Sequence, residues 1–427
     1  MILADDLSGA ADCGVACVGA GLKTVVALGH SGDDPSADVL SLDSDTRSMA
    51  PEQAAREVDR LIRIYAANQD MLLFKKIDST LRGNVGQELA AALGALREVR
   101  KDARTVAIMA PAFPAIGRTT QNGTQLVHGQ PLHELDIWRV QGMTGNAHIP
   151  DMLHDAGLKC EVLGIEIVRA GRSTLKEQMS TAAGRVDVLV CDAETDDDLF
   201  AIDAASAELD SRPLWVGSAG LAYQLPRAAG LAKNVAAAPI SLPAISGSLL
   251  FVIGSLSRNS LEQVRILSSM SGTRAICVPP EVLLAGDGDA EWLNYARELE
   301  QAIKSRQDVV LSPQTEPRVD LSQRPLMAAA LARLAGRVSG GVGALVASGG
   351  ETARAVFELL GVTQLRLLGE LEKGIPVSMT ENWNRQLPVI TKAGDFGGAD
   401  ALLKCRQFLH REDPRLTSPL NSGKVVQ

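Results

Sequence analysis

The amino-acid sequence predicts an α/β protein of two domains with mostly parallel sheets. Its 427 residues exceed the length at which one hydrophobic core usually stops growing. Short apolar, β-branched runs alternate with longer helical patterns, which is typical of βαβ units. Between Leu225 and Gly247 a segment rich in Ala and Pro interrupts this alternation. We therefore expect one domain over residues 1–235 and a second over residues 245–427.

Strands are predicted where an apolar run is short and bounded by turn residues. In the first domain these are Ile2–Ala4, Thr24–Leu28, Val39–Leu42, Leu72–Lys76, Thr105–Ala110, Glu161–Ile165, Val186–Cys191 and Leu214–Gly217. In the second they are Leu249–Ile253, Ala275–Val278, Val309–Leu311, Ala344–Ala347 and Pro388–Thr391.

Helices are predicted between these strands. Pro51–Ala67 begins with Pro in its first turn and acids close behind, and Val85–Val99 carries three leucines on one stripe. The second domain is expected to contain helices at Ser257–Met270, Glu291–Lys304, Arg324–Arg337 and Thr352–Leu360.

The composition excludes several classes of protein. Hydrophobic residues make up 46% and charged residues 22%, a balance that excludes a disordered or coiled-coil chain. The net charge of −9 argues against nucleic acid as the main partner. No apolar run approaches the roughly 18 residues that span a bilayer. Asp5 and Asp6 stand where a signal peptide would be basic and then apolar. We expect a cytoplasmic protein that binds neither nucleic acid nor membrane.

Two adjacent carboxylates, Asp5 and Asp6, follow the first strand directly before a helix. Ligands of open parallel sheets bind at this carboxyl edge. Successive residues at a strand end point to opposite sides, so one carboxylate should face a ligand while the other caps or braces the turn. We assign Asp6 to the ligand side.

Arg47 and the run Lys75–Asn84 also follow predicted strands. An arginine at such an edge offers a planar fork that suits a carboxylate. The run combines two lysines, an acid, two hydroxyls and an arginine, a density that a purely structural turn does not need. It predicts a site for a polyhydroxylated anion, with the cations on its carboxylate and Asp78 on a hydroxyl. The loop Ala110–Arg118 is expected to form a rigid wall of this site.

Three junctions in the second domain have the small residues that bring backbone N–H groups close to a phosphate. They are Gly254–Ser257, Ala347–Thr352 and Thr391–Asp400, each directly after a predicted strand. Together they indicate a nucleotide site. The phosphate-loop motif G-x-x-x-x-G-K-[ST] and an opening G-x-G-x-x-G are both missing from the sequence, which disfavours P-loop and ordinary dinucleotide-binding proteins.

With these motifs the chain resembles the four-carbon acid sugar kinases, which phosphorylate threonate, erythronate or their oxo analogues with ATP. The matching blocks extend over essentially the whole chain in the right order, at Ala4–Asp12, Asp45–Arg47, Lys75–Asn84, Ala110–Arg118, Ser348–Thr352 and Thr391–Gly397. The resemblance implies an acid-sugar-binding domain followed by a nucleotide-binding domain, with the active site in the cleft between them.

The resemblance also implies roles for individual residues. It assigns to the acid sugar Asp6, Arg47, Lys76, Ile77, Asp78 and Ser79, and to ATP Ser255, Ser257, Gly349, Gly350, Glu351, Thr352 and Gly394. The implied reaction transfers the γ-phosphoryl of ATP to the terminal 4-hydroxyl, with Mg²⁺ bridging the phosphates. Asp78 is the preferred catalytic base and Asp6 the alternative.

Two positions depart from the family pattern. Ser8 replaces the usual Thr, and Ala393 with Asp395 replaces the usual Ser and a small residue. Asp395 near phosphates either contacts the metal or points away, and the sequence identifies no protein ligand for Mg²⁺.

Two alternatives remain at this point. A ribokinase-like kinase of another small sugar is one, because Ala393-Gly394-Asp395 is similar to the anion-hole turn of that class. The other is a non-catalytic sugar-acid-binding or sensor protein, although a binder would not need three phosphate-type turns. The choice between D-threonate and D-erythronate, and between a monomer and a homo-oligomer, stays open.

Overall fold

The structure is a computed structural model, and it describes residues 1–29, 36–66, 71–233, 239–314, 323–381 and 383–411. The chain divides into two compact units. The first consists of Met1–Thr24 and Asp34–Asn234, and the second of Val25–Asp33 and Val235–Gln427.

The strands, in chain order, are β1 Ile2–Ala4, β2 Thr24–Leu28, β3 Val39–Asp43, β4 Leu73–Lys76, β5 Ala107–Ala110, β6 Arg118–Gln121, β7 Thr124–Val127, β8 Gln130–Pro131, β9 Cys160–Leu163, β10 Val188–Cys191, β11 Leu214–Gly217, β12 Ser248–Ile253, β13 Thr273–Val278, β14 Asp308–Pro313, β15 Val342–Ser348, β16 Gln364–Glu370, β17 Pro376–Glu381 and β18 Pro388–Lys392.

The α-helices are α1 Leu7–Gly19, α2 Pro51–Tyr65, α3 Val85–Arg100, α4 Asp136–Val140, α5 Ile149–Asp155, α6 Ile165–Val168, α7 Arg172–Ala182, α8 Asp196–Ser206, α9 Ala219–Ala228, α10 Arg258–Ser268, α11 Pro280–Ala285, α12 Ala290–Lys304, α13 Arg324–Val338, α14 Gly350–Leu360 and α15 Ala401–His410.

In the first unit, seven of these strands form a parallel sheet in the order β3-β1-β4-β11-β5-β10-β9. Parallel strands covered on both faces read as continuous apolar runs, and β4, β5, β10 and β11 are buried along their whole length. Strands β6, β7 and β8 form a separate small antiparallel sheet.

In the second unit, the strand order is β13-β14-β12-β15-β18-β17-β16-β2. The first five strands are parallel and the last three are antiparallel to their neighbours. Register places Ser348, the last residue of β15, opposite both Ile253 of β12 and Lys392 of β18. The three glycine-containing turns that follow these strands therefore begin at the same edge of the sheet.

One element departs from the predicted domain division. The sequence placed all of residues 1–235 in the first domain, but Val25–Asp33 belongs to the second unit. Its strand β2 pairs antiparallel with β16, Ala27 opposite Gln364 and Val25 opposite Arg366. The sequence predicts Thr24–Leu28 as a strand because the run is apolar and β-branched, and all five of its residues are buried. Its partner is set by long-range packing, which a local apolar pattern does not reveal.

Every strand predicted from the sequence is present, with ends within two residues of those predicted. The helix predicted to reach Ala67 ends at Tyr65, and Ala67 lies outside the described residues. Sequence reasoning missed β16, β17 and the hairpin β6–β7, although Asn122-Gly123 between the hairpin strands is a strong signal for a two-residue turn. In the described part of the chain, no helix combines the length and apolarity needed to cross a bilayer.

Candidate active site

The carboxyl ends of β1, β3 and β4 bring charged side chains together in the first unit. Ala4, the last residue of β1, lies opposite Asp43 on one side and Lys76 on the other. The segments that follow the three strands thus leave the same edge of the sheet. We use the term charged cluster for Asp5, Asp6, Arg47, Lys76, Asp78 and Arg82.

Arg47 connects the two carboxylates that follow β1. Its Nε and Nη2 donate to the two carboxylate oxygens of Asp5 at 2.7 and 2.9 Å, and its Nη1 donates to Asp6 Oδ2 at 2.6 Å. Such a bidentate, charge-assisted pair is strong and geometrically specific. Burial opposes ionisation of Asp5, but the charges of Arg47 and Lys76 outweigh it and lower the pKa of this carboxyl. The carboxylate of Asp5 is therefore ionised and held in place.

Asp6 caps the first helix. Its Oδ1 accepts from the backbone N–H of Gly9 at 2.9 Å, and Asp6 has the extended backbone of an N-cap residue of α1. The sequence predicts instead that Asp5 caps or braces the turn and that Asp6 faces a ligand. The cap falls on Asp6 because β1 ends at Ala4, and the alternation of a strand does not continue into Asp5 and Asp6. Both carboxylates accept from Arg47, and the assignment of Asp6 to the ligand side stays a prediction.

A tight turn after β4 presents Asp78. Its Oδ2 accepts from Arg82 Nε at 2.8 Å, from the N–H of Thr80 at 3.2 Å and from the Thr80 hydroxyl, while its Oδ1 accepts from Arg82 Nη2 at 2.8 Å. Leu81 adopts a left-handed backbone with φ of 56°. This conformation is costly for a residue other than Gly and tends to occur at functional sites. It lets the turn close so that Arg82 reaches back to Asp78.

The electrostatics of Asp78 follow from this geometry. Burial opposes its ionisation, but the charge and hydrogen bonds of Arg82, with further contributions from Arg47 and Lys76, hold its pKa well below the ordinary value. The ion-pair partner of Asp78 is Arg82, four residues further along the chain. Asp78 is thus permanently ionised at neutral pH.

Two neighbouring lysines of β4 are buried in different ways. Lys75 Nζ pairs with Glu88 Oε2 of α3 at 2.7 Å, with side chains only 1% and 2% exposed, and donates to the carbonyl of Lys76 at 3.2 Å. Breaking such a dry ion pair is expensive because it leaves an uncompensated buried charge. The pair therefore fixes the end of β4 against α3.

The side-chain ammonium of Lys76 makes no hydrogen bond or ion pair with any residue that the structure describes, although the side chain is buried. A Cβ on Gly9 would lie 2.6 Å from Lys76 Nζ, so the glycine makes room for the ammonium at the first turn of α1. Burial disfavours the charged form, but the carboxylates of Asp5 and Asp6 help to raise the pKa of Lys76 above its ordinary value. The cluster therefore offers a protonated ammonium whose donors have no acceptor among the described residues.

The remaining residues of the predicted acid-sugar stretch differ in role. Ile77 is a core residue whose N–H donates to the carbonyl of Gly217 at 2.9 Å. Ser79 is buried; its hydroxyl accepts from Arg118 Nη1 and its carbonyl accepts from Gln125 Nε2 at 2.9 Å. The small sheet β6–β8, which carries Arg118 and Gln125, is thereby fastened to the charged cluster.

The sequence analysis did not predict the contacts of three residues of this region: Arg82, Glu88 and Arg118. Arg82 follows Asp78 by four residues, a spacing that was visible in the run. Glu88 is a lone acid on the otherwise apolar buried face of α3, which signals a buried cation partner. Arg118 ends the predicted wall loop, but its contact with Ser79 joins residues 39 positions apart and carries no local signal.

In the second unit, the three glycine turns contact one another. A Cβ on Gly254 would overlap Thr352 Oγ1, and a Cβ on Gly394 would overlap Ser255 Oγ. Gly349 has a φ of 101°, a value that L side chains rarely adopt, and its N–H donates to the carbonyl of Lys392 at 2.9 Å. The turns can approach this closely only because these positions lack side chains.

The hydroxyls predicted to bind nucleotide are held by the protein. Ser257 is the N-cap of α10 and its Oγ accepts from the N–H of Ser260 at 3.1 Å, while Ser255 Oγ accepts from the N–H of Ser257 at 3.3 Å. In the second turn, Gly350, Glu351 and Thr352 begin α14, with Glu351 exposed and Thr352 buried. All the predicted nucleotide residues thus lie in three adjacent turns with two helix N-termini, an arrangement that suits a phosphate.

Within the described ranges, no group of three or more His, Cys, Asp or Glu side chains is placed to hold a metal ion. Asp395, which the sequence offers either as a metal contact or as a residue that points away, is exposed, and its carbonyl accepts from Asn259 Nδ2 at 3.1 Å.

Fold and site together define a protein of two α/β units, with a cluster of charged side chains in one unit and three adjacent glycine turns in the other. Comparison with known proteins agrees with this class. Residues 1–225 match the family model described as a sugar-binding N-terminal domain, and residues 250–402 match a nucleotide-binding C-terminal domain.

Similar proteins give the family. The chain is 41% identical to D-threonate kinase of Cupriavidus necator, over 94% of this chain and 96% of that protein. It is 31% identical to 3-oxo-tetronate kinase of Methylobacterium radiotolerans, over 93% and 96%. A crystal structure from Salmonella typhimurium LT2 has the same fold, with a TM-score of 0.78 at 22% identity over 95% of this chain and 98% of that one. The chain belongs to the four-carbon acid sugar kinase family, and it is a phosphotransferase that uses an alcohol group as acceptor.

Proposed function

We propose that this protein transfers the γ-phosphoryl group of ATP to the terminal 4-hydroxyl of a four-carbon sugar acid, and that D-threonate is the preferred substrate. The observation that carries the proposal is Lys76, a buried protonated lysine with no partner among the described residues, beside the N-terminus of α1. A small carboxylate would satisfy this ammonium and the positive end of the helix together. The choice of D-threonate is supported by the 41% identity to a D-threonate kinase.

Arg47 has a different part in this proposal from the one the sequence suggested. Three of its five N–H bonds are already donated to Asp5 and Asp6. The sugar-acid carboxylate would therefore bind mainly to Lys76. Arg47 would contribute its remaining N–H groups and would hold the two carboxylates in place.

Asp78 would orient the acceptor hydroxyl. Its low pKa makes it a weak base but keeps it charged, so it can accept a hydrogen bond from the hydroxyl and favour attack by the oxygen on the γ-phosphorus. In the transfer, the bond from the γ-phosphorus to the ADP oxygen breaks while the bond to the sugar oxygen forms. Asp6 remains the alternative, because the oxygens of both carboxylates already accept hydrogen bonds: those of Asp6 from Gly9 and Arg47, and those of Asp78 from Arg82 and Thr80.

The three turns of the second unit would bind ATP. Phosphoryl transfer depends on positioning and on neutralising the phosphate charge, which the backbone N–H groups of these turns and a phosphate-bound Mg²⁺ would provide. Asp395 is exposed next to this site, so it can reach the metal without being fixed to it.

The test is ADP release by the full-length protein with ATP and Mg²⁺, over the D and L forms of threonate and erythronate. We expect D-threonate to give the highest kcat/KM, and phosphorus NMR of the product to show a phosphate ester on the 4-hydroxyl. ADP release that is independent of every sugar acid, or a product phosphorylated at another position, would contradict the proposal. A higher kcat/KM for erythronate would support the proposed kinase activity and would identify erythronate as the preferred substrate.

A further inference from the structure

Lys392, the last residue of β18, has an unusual environment. Its side chain is 1% exposed, and its ammonium donates to the main-chain carbonyls of Ala393, Gly394 and Phe396 at 3.0, 2.7 and 3.1 Å. No carboxylate of the described residues pairs with it. A full positive charge is thus enclosed by carbonyl dipoles in the turn that contains Gly394.

The other carbonyls of this turn are held by side chains of α10. Asn259 Nδ2 donates to the carbonyls of Asp395 and Gly397 at 3.1 and 2.9 Å. Gln263 Nε2 donates to the carbonyl of Gly398 at 2.8 Å, and Ser260 Oγ donates to that of Gly394 at 2.5 Å. Every carbonyl from residue 393 to residue 398 therefore has a donor from the protein.

The N–H groups of Gly394 and Asp395 have the opposite status, because neither donates to an acceptor within the described part of the chain. Backbone N–H groups left open in a turn form a concave site for an anion. The carbonyls drawn to Lys392 and α10 keep these N–H groups available.

We propose that Lys392 is a positioning residue for the nucleotide: its ammonium acts as an internal counter-cation that holds the turn 393–398 in the shape that binds a phosphate of ATP. This proposal rests on the proposed function, which places ATP at this turn. An ammonium has three donors, and all three are used on carbonyls, so Lys392 acts through the turn and does not touch the nucleotide.

The charge of Lys392 depends on pH close to neutrality. Burial lowers the pKa of Lys392 to about 8. The groups that face it and act in the opposite direction are Asp395 on its own turn and Cys405 on α15, whose pKa is itself raised to about 12 by burial. Above about pH 8 the amine loses its charge and one donor, so ATP should bind more weakly as the pH rises from 7 to 9.

The test compares Lys392→Met with Lys404→Met by calorimetry of ATP binding to the full-length protein. Lys404, on α15, pairs with Glu372 and Asp400 near the surface and serves as the matched control. We expect Lys392→Met to raise the Kd for ATP by about 10-fold to 100-fold at pH 7.5, the range given by loss of a hydrogen-bonded charge. The Kd for the sugar acid should not change, and Lys404→Met should bind ATP as the unmodified protein does.

The pH dependence is the second arm and needs only the unmodified protein, so it applies even if Lys392→Met does not fold. The Kd for ATP should rise between pH 7 and 9 in the unmodified protein and in Lys404→Met, and this rise should be missing from Lys392→Met. A Kd that is flat over this range, or a folded Lys392→Met with normal ATP affinity, would overturn the inference. Failure of the proposed function would look different: no sugar acid would be phosphorylated, while ATP binding would still depend on Lys392.

Discussion

The two proposed binding sites, one in each unit, differ in composition. In the first unit the site consists of charged side chains that are largely paired with each other, as in Arg47 with Asp5 and Asp6, and Arg82 with Asp78. In the second unit it consists of glycine turns, hydroxyls and backbone N–H groups, with Lys392 as the buried cation.

Because of this difference, the two sites should be sensitive to different kinds of substitution. Removing one member of a buried charge network leaves its partner uncompensated, so the first site should be sensitive to charge. Backbone N–H groups carry no net charge but need close approach, so the second site should be sensitive to volume. The following variants test this contrast.

The largest effect is expected for Arg47→Ala. Its removal leaves the buried carboxylate of Asp5 and that of Asp6 without their cation, which should cost about 3 to 5 kcal/mol of stability. Because pairing lowers the pKa of Asp5, this stabilisation is present above the unfolded pKa of about 4 and is lost as the pH falls through the folded pKa. Denaturant unfolding at pH 7 measures the loss. Arg63→Ala, which removes exposed ion pairs with Asp59 and Glu98, is the control and should leave the stability nearly unchanged.

The next effect is expected for Asp78→Asn, which keeps the shape and removes the charge. We expect kcat to fall at least about a hundredfold, as for other positioned catalytic groups, with ATP affinity nearly unchanged. Steady-state kinetics and calorimetry provide the two measurements. If kcat stays within a few fold and Asp6→Asn carries the loss, the role passes to Asp6.

A smaller effect is expected for Gly254→Ala, which adds a single methyl group where Thr352 Oγ1 lies. Overpacking of this kind costs about 1 to 3 kcal/mol, and displacement of the first turn of α14 should weaken ATP binding about tenfold. Sugar-acid binding should be unaffected. Gly288→Ala is the control, since nothing lies within 4 Å of its added Cβ. Equal ATP affinity of the two variants would show that close approach of the turns does not matter.

The smallest effect concerns Asp203, a buried carboxyl in the first unit that contrasts with Asp5. Neither of its oxygens has a hydrogen-bond partner among the described residues, and burial raises its pKa well above the ordinary value. The unfolded chain ionises more readily, so the protein loses stability as the pH rises above about 4 until the folded pKa is reached. Asp203→Leu should raise the melting temperature at pH 7, and by less at pH 4. An unchanged or lower melting temperature at pH 7 would mean that Asp203 is satisfied in the fold.

Much of the difference between the two proposed sites could be predicted from the sequence. The runs that contain Asp78 and Gly394 follow apolar strands, and the carboxyl ends of parallel strands meet at one edge of a sheet, so their residues could be grouped correctly. The ion pairs could not be predicted from the sequence, because they join distant positions. Arg47 and Asp5, for example, are 42 positions apart. The role proposed for Arg47 therefore changed once its contacts with Asp5 and Asp6 were known.

By itself, the sequence determined the α/β class, the parallel strands and the strand-end segments in which both proposed sites lie, because local apolar periodicity and strand-end chemistry are encoded within short segments. Tertiary structure alone decided which charges neutralise each other, which lysine stays without a partner, and that β2 joins the second unit. These depend on contacts between distant segments, whose free energies come from burial and geometry that no local pattern contains.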